Sequence, residues 1–160
     1  MVKEIKPLNS DKLMKVDDED YEELSKHKWW FNNKGYPHTY IYVDNKRTSI
    51  SMHQILIKPP KGLQIDHIDR DKLNNQRDNL RIATQSQNNM NRIKQKNTSS
   101  KYKGVSWHKE HKKWRAYITF KDKYIHLGYF TNEDDAGRAY NKRAKELFNK
   151  YANLNIIMEF

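Results

Sequence analysis

The most regular alternation of apolar and polar positions lies between Lys113 and Phe120, KWRAYITF. Trp114, Ala116, Ile118 and Phe120 share one parity, and Arg115, Tyr117 and Thr119 the other. A period of two is that of a strand with one buried face. Two neighbouring segments repeat the division: Val105 and Trp107 against Ser106 and His108, then Ile125 and Leu127 against Tyr124 and His126. The pattern predicts a three-stranded antiparallel sheet with a polar face, Lys121-Asp122-Lys123 turning between its last two strands. On this register Trp107 and Trp114 belong to the core. The period then changes. Asn132 starts a helix with Glu133, Asp134 and Asp135 in its first turn. Ala136, Ala139, Tyr140, Arg143, Ala144, Leu147 and Phe148 follow at helical spacing, a stripe suited to cover the sheet.

Upstream the signals are shorter. Tyr40 to Val43 and Arg47 to Ile50 flank Asp44-Asn45-Lys46, which predicts a hairpin of aromatic and β-branched residues around a polar turn. Ser51 can cap a short helix through Ile57 that must stop at Pro59-Pro60. Asp17 is placed to cap a helix through Ser25, with Asp18, Glu19 and Asp20 against its positive end. Thr84 with Gln87 fits a capping box opening a helix that carries Asn88 and Asn91. The predicted class is α+β. The expected organisation is an acidic segment over 1–26, a unit over 27–91, a basic linker over 92–100 and a unit over 101–160.

Composition narrows the function. The 160 residues are 36% hydrophobic with a mean hydropathy of -1.14, and no stretch approaches the roughly 20 apolar residues of a membrane span. No cysteine is present, which points to an intracellular, reducing setting and leaves His, Asp, Glu and Asn as the metal ligands available. Net charge is +11. The first 24 residues carry four basic and eight acidic side chains, so the positive field belongs to the rest, and polyanions are the expected partners.

The stretch from Gly62 to Asn91, GLQIDHIDRDKLNNQRDNLRIATQSQNNMN, reads as strand, irregular loop, strand and helix. Asp66 and His67 sit side by side at the end of the first strand and so point to opposite sides. Hydrolysing a phosphodiester needs a base for water, a cation on the phosphate and stabilisation of the leaving oxygen. One His, one carboxylate and one amide oxygen can meet those needs with Mg²⁺ or Mn²⁺. Asp66-His67-Ile68-Asp69, Asn74-Asn75, Asn79-Leu80-Arg81, Thr84 and Asn88, at these joint spacings, resemble the HNH homing-endonuclease family of ββα-metal nucleases from phages and introns. The resemblance implies a ββα catalytic unit. It makes His67 the general base, Asp66 and Asn88 the metal ligands, and Asn79 a residue that orients His67 or braces the loop. Met52-His53-Gln54 resembles a recurrent segment of these proteins, with His53 read as packing.

Residues 101 to 156 resemble the APETALA-type, or ethylene-response-factor, DNA-binding domain. The resemblance is carried by Tyr102-Lys103-Gly104-Val105, Trp114-Arg115-Ala116, His126-Leu127-Gly128-Tyr129-Phe130, Ala136, Ala139-Tyr140 and Asn155. It implies that the sheet lies in the major groove of duplex DNA. Lys103, Ser106, His108, Arg115, Tyr117, Thr119, Tyr124 and His126 are the candidate contacts. Together the readings predict a metal-dependent DNA endonuclease that nicks one strand per site, acts on no small-molecule substrate, and works in the cytoplasm of a phage-infected bacterium. A monomer and a dimer both fit. The alternative is a DNA-binding regulator retaining the nuclease unit as structure.

Overall fold

The computed structural model describes residues 1–94 and 97–158. The chain divides into two compact units, Met1–Gln85 and Ser86–Phe160. Among the described residues no helix is long and apolar enough to cross a membrane.

The first unit opens with β1 (Val2–Ile5), antiparallel to β2 (Met14–Asp17), which runs directly into α1 (Asp18–Ser25). The helix was expected and the two strands were not. Ile5, Met14, Val16 and Leu24 turn inward and pack with Trp29 and Met52. The acidic segment therefore builds most of this core. A second sheet has the order β3 (Trp30–Phe31), β4 (Pro37–Val43), β5 (Lys46–Ser51). Asp44 and Asn45 make the hairpin turn with φ of 49° and 60°, a left-handed pair that Asp and Asn tolerate and that matches strand twist. α2 (Met52–Leu56) follows. The Ser51 N–H donates to Gln54 Oε1 at 3.0 Å, and the helix ends ahead of the two prolines. Next come β6 (Gln64–His67), a 3₁₀ turn (Arg77–Asn79) and β7 (Leu80–Ala83); α3 (Gln85–Asn91) follows in the expected ββα order, its residues from Ser86 on falling in the second unit.

The second unit holds β8 (Val105–His108), β9 (Lys113–Phe120), β10 (Lys123–Phe130) and α4 (Glu133–Phe148), with sheet order β10-β9-β8. Asn132 caps α4 by accepting from the Asp134 N–H at 2.7 Å. Ala136, Tyr140, Ala144 and Phe148 of the expected stripe are buried. They pack with Val105, Ala116 and Ile118 from the sheet and with Tyr102. Trp107 corrects the expectation. It shares the apolar parity and meets Trp114 edge to face at 5.1 Å, yet it is 41% exposed, because β8 is the sheet's edge strand. Gln95 and Lys96 of the expected linker lie outside the described residues. Before them, the Arg92 carbonyl accepts from Lys103 Nζ and Asn153 Nδ2; after them, Ser100 is buried and donates to Glu133 Oε1 at 2.6 Å.

Candidate active site and nucleic-acid face

β6 delivers Asp66 and His67 as adjacent residues, and both are buried. Asp66 faces Arg81 across the β6–β7 ladder, and Arg81 Nε and Nη2 reach its Oδ2 at 2.8 and 2.7 Å. On the other side of the strand, the His67 ring lies 5.3 Å from the His53 ring and 6.0 Å from that of Tyr36. His67 Nε2 stands 3.4 Å from Oδ1 of the fully buried Asn75. In the tautomer that donates through Nε2, the basic lone pair sits on Nδ1. Burial lowers the pKa of His67, against the raising influence of Asn75 and of Asp69, Asp66 and Asp71. His53 is pushed down to about 4 by burial and by His67. Desolvation thus keeps the pair neutral, the state a base requires.

Asn79 serves the loop. Its Nδ2 donates to Asp69 Oδ1 and to the Asn74 carbonyl, both at 2.8 Å, and its Oδ1 accepts from the Asp69 N–H at 3.0 Å. Asn75, to which the sequence reading gave no role, is the amide nearest the imidazole. Its signal was the Asn74-Asn75 pair itself. The N-terminal segment clamps the same loop. The Lys15 N–H donates to the Leu73 carbonyl and the Asn75 N–H to the Lys15 carbonyl, each at 2.8 Å. Asp17 accepts from Gln76 Nε2 and the Arg77 N–H, while Arg77 grips Asp20 through Nε and Nη2 at 2.8 and 2.6 Å. Two of the eight acids of residues 1–26, Asp17 and Asp20, are used here. Asn88 lies half-buried on α3, past the division at Gln85, and belongs with the second unit.

On the second unit's sheet, Ser106, Arg115 and Tyr129 stand in cross-strand register, then Tyr117 with His126 and Thr119 with Tyr124. Tyr117 and Tyr124 stack at 5.1 Å, and the Arg115 guanidinium sits 5.5 Å from the Tyr117 ring. Tyr129 gathers His108, His111 and His126 around it at 4.4 to 5.2 Å. Sequence parity places Tyr129 on the apolar face. A bulge between His126 and Gly128, where φ is 132°, turns it to the polar one. The glycine inside a strand was the available signal. Lys103 stands apart from this set: its ammonium donates to the Met90 and Arg92 carbonyls at 2.7 Å.

β6, β7 and α3 follow one another in ββα order, and β6 carries a buried histidine beside a buried carboxylate. Residues 58–90 match the HNH endonuclease family. A protein of Acanthamoeba polyphaga mimivirus named an uncharacterized HNH endonuclease is 35% identical over 136 residues, 84% of this chain and 70% of its own. Protein 3.8 of Escherichia phage T7 is 45% identical over 64 residues, 40% of this chain and 53% of its own. No solved structure matches. The chain belongs to the HNH endonuclease family, and its reaction class is phosphodiester hydrolysis. Nucleases of this family generally use a divalent metal. Among the described residues no three His, Asp or Glu side chains are grouped to hold one. Carboxylate and amide oxygens are the donor type that Mg²⁺ or Mn²⁺ takes, through one or two carboxylates with water and phosphate completing the shell.

Proposed function

We propose that this protein is a metal-dependent DNA endonuclease of the HNH homing type, which binds duplex DNA through the polar face of its second unit's sheet and nicks one strand per active site. The observation that carries the reading is the buried, neutral His67 beside Asp66 on β6 of a ββα unit. His67 takes the proton of the attacking water. Asn75 and the neutral His53 hold its ring, and Asn79 braces the loop that follows it. Following the family resemblance, Asp66 would offer a carboxylate oxygen and Asn88 an amide oxygen to a divalent ion, which when bound would neutralise charge on the scissile phosphate.

An APETALA-type role for the sheet is supported by its side chains. Arg115, Tyr117, Tyr124 and His126, with Ser106, His108 and Thr119, offer cationic, hydrogen-bonding and stacking groups of the kind that read base edges and phosphates. A phage-infected bacterial cytoplasm is the proposed setting, by analogy with the phage relative.

Incubating the protein with supercoiled plasmid, with and without Mg²⁺, tests the reading. Nicked product that forms only with metal and disappears in His67→Ala is the expected result. Asp66→Ala and Asn88→Ala should each raise the metal concentration needed, with excess Mn²⁺ restoring part of the activity in at least one. Wild-type activity of both variants at low metal would remove the ligand assignment.

A further inference from the structure

The β4–β5 hairpin changes character along its length. At its root Pro37, His38 and Thr39 are buried, whereas every residue from Tyr42 to Ser49 is exposed. Tyr42 is 76% exposed and Tyr40 39%. An uncovered two-stranded ribbon is marginal in water, and a tyrosine as exposed as Tyr42 adds little to it. The tip carries two cations, Lys46 and Arg47, beside one carboxylate, Asp44. Among the described residues neither Lys46 nor Arg47 has a carboxylate within ion-pair reach. The Arg47 guanidinium lies 3.7 Å from the Tyr40 ring centroid, and Tyr40 leans on Trp30 at 4.9 Å. That stack holds the guanidinium in place with donors left for a planar acceptor such as a phosphate.

The root of the same hairpin touches the candidate base. Tyr36, immediately before β4, and His53, in the helix that follows β5, are the two rings packed on His67. The ribbon therefore leaves the catalytic histidine and extends about 15 Å at some 3.3 Å per residue. A two-stranded ribbon is narrow enough for the major groove, about 12 Å wide.

We propose that the β4–β5 hairpin is a second DNA-binding element, a ribbon that enters the groove of duplex DNA beside the cut, with Arg47 and Lys46 on phosphates and Tyr42 against the sugar–base edge. The assignment rests on the nuclease reading and adds the residues that position the scissile strand at His67. Fifteen ångströms of ribbon corresponds to about four base pairs at 3.4 Å each, so its contacts should lie about that far from the nick.

The test uses the intact chain. A Tyr42→Ala/Arg47→Ala variant should keep the wild-type melting temperature, because both side chains are exposed. Its affinity for duplex DNA should fall about tenfold or more, and the slope of log affinity against log salt should flatten by about one for the lost phosphate contact. Hydroxyl-radical footprints taken in a His67→Ala background should lose protection within about four base pairs of the nick and keep it elsewhere. If wild type cuts DNA and the double variant cuts, binds and footprints identically, the arm assignment falls and the nuclease reading stands. If the variant instead changes the oligomeric state by light scattering with the footprint intact, the ribbon is a protein interface and the assignment falls equally. If wild type neither binds nor cuts duplex DNA, the nuclease reading fails first and takes this one with it.

Discussion

An imidazole removed from water holds a proton less readily, and at His67 desolvation outweighs three nearby carboxylates. Its acid limb in the pH–rate profile should therefore lie below the ordinary histidine value of about 6.5. A midpoint at or above that value would contradict the burial argument. His67→Ala should lower cleavage by about 10² to 10⁴ while leaving DNA affinity within a few-fold, since a general base acts on the water rather than on binding. His53 gives a stability prediction. Its folded pKa of about 4 lies below an unfolded value of about 6.5, so between these limits the unfolded chain binds more protons. Stability is then complete above pH 6.5 and declines as pH falls towards 4, by a few kcal/mol at most at about 1.4 kcal/mol per unit. His53→Phe should flatten that slope in melts recorded from pH 7 to 4.5. An unchanged slope would show that other groups set it.

Single positions also decide whether elements can meet. Gly104 has φ of 73°, and a Cβ there would stand 2.1 Å from Tyr140 Cδ2 and 2.6 Å from the Tyr117 carbonyl oxygen. Left-handed strain of about 1–2 kcal/mol and overpacking of about 1–3 kcal/mol combine in Gly104→Ala. It should destabilise the second unit by about 2–5 kcal/mol in urea titration, and a loss under 1 kcal/mol would mean that Tyr140 is free to move aside. The elements of this unit were legible because Trp114 to Phe120 alternates without interruption and α4 runs four turns. The β10 bulge was not, since one inserted residue reverses parity and moved Tyr129 to the other face. β1 and β2 were missed for a different reason. Each is four residues long, too short for a period to declare itself, and the segment reads only as acidic. Two of its acids, Asp17 and Asp20, in fact hold Arg77 and Gln76 of the loop. Asp66-His67 and Asn79 marked the candidate site in the sequence, but the Asn75 and Tyr36 contacts to the imidazole come from segments that meet only in three dimensions.

Charge separates the two units more sharply than the whole-chain total suggests. Residues 1–85 carry 15 basic and 13 acidic side chains, and residues 86–160 carry 16 and 7, so the second unit holds +9 of the +11. A unit with that excess and a polar sheet face should bind duplex DNA alone. The fragment to use starts at Ser86, because Met90 packs into the second unit's core and its carbonyl accepts from Lys103. At about 75 residues its stability will be modest. Its affinity should fall steeply with salt, log K dropping by about 0.9 for each phosphate neutralised per decade of salt. Two substitutions then separate reading from folding. Arg115→Ala removes a half-buried guanidinium whose Nε has no hydrogen-bond partner among the described residues, and should weaken binding without lowering the melting temperature by more than a few degrees. Trp114→Ala removes a ring packed against Trp107 and the Ala116 cluster, and should cost about 3–5 kcal/mol, abolishing binding through loss of the fold. Were Arg115→Ala to unfold the fragment while Trp114→Ala left it folded and bound, the two faces of the sheet would be exchanged. The DNA-facing set would then consist of Trp114, Phe120 and their neighbours, leaving Tyr129 and the histidines around it to a structural role.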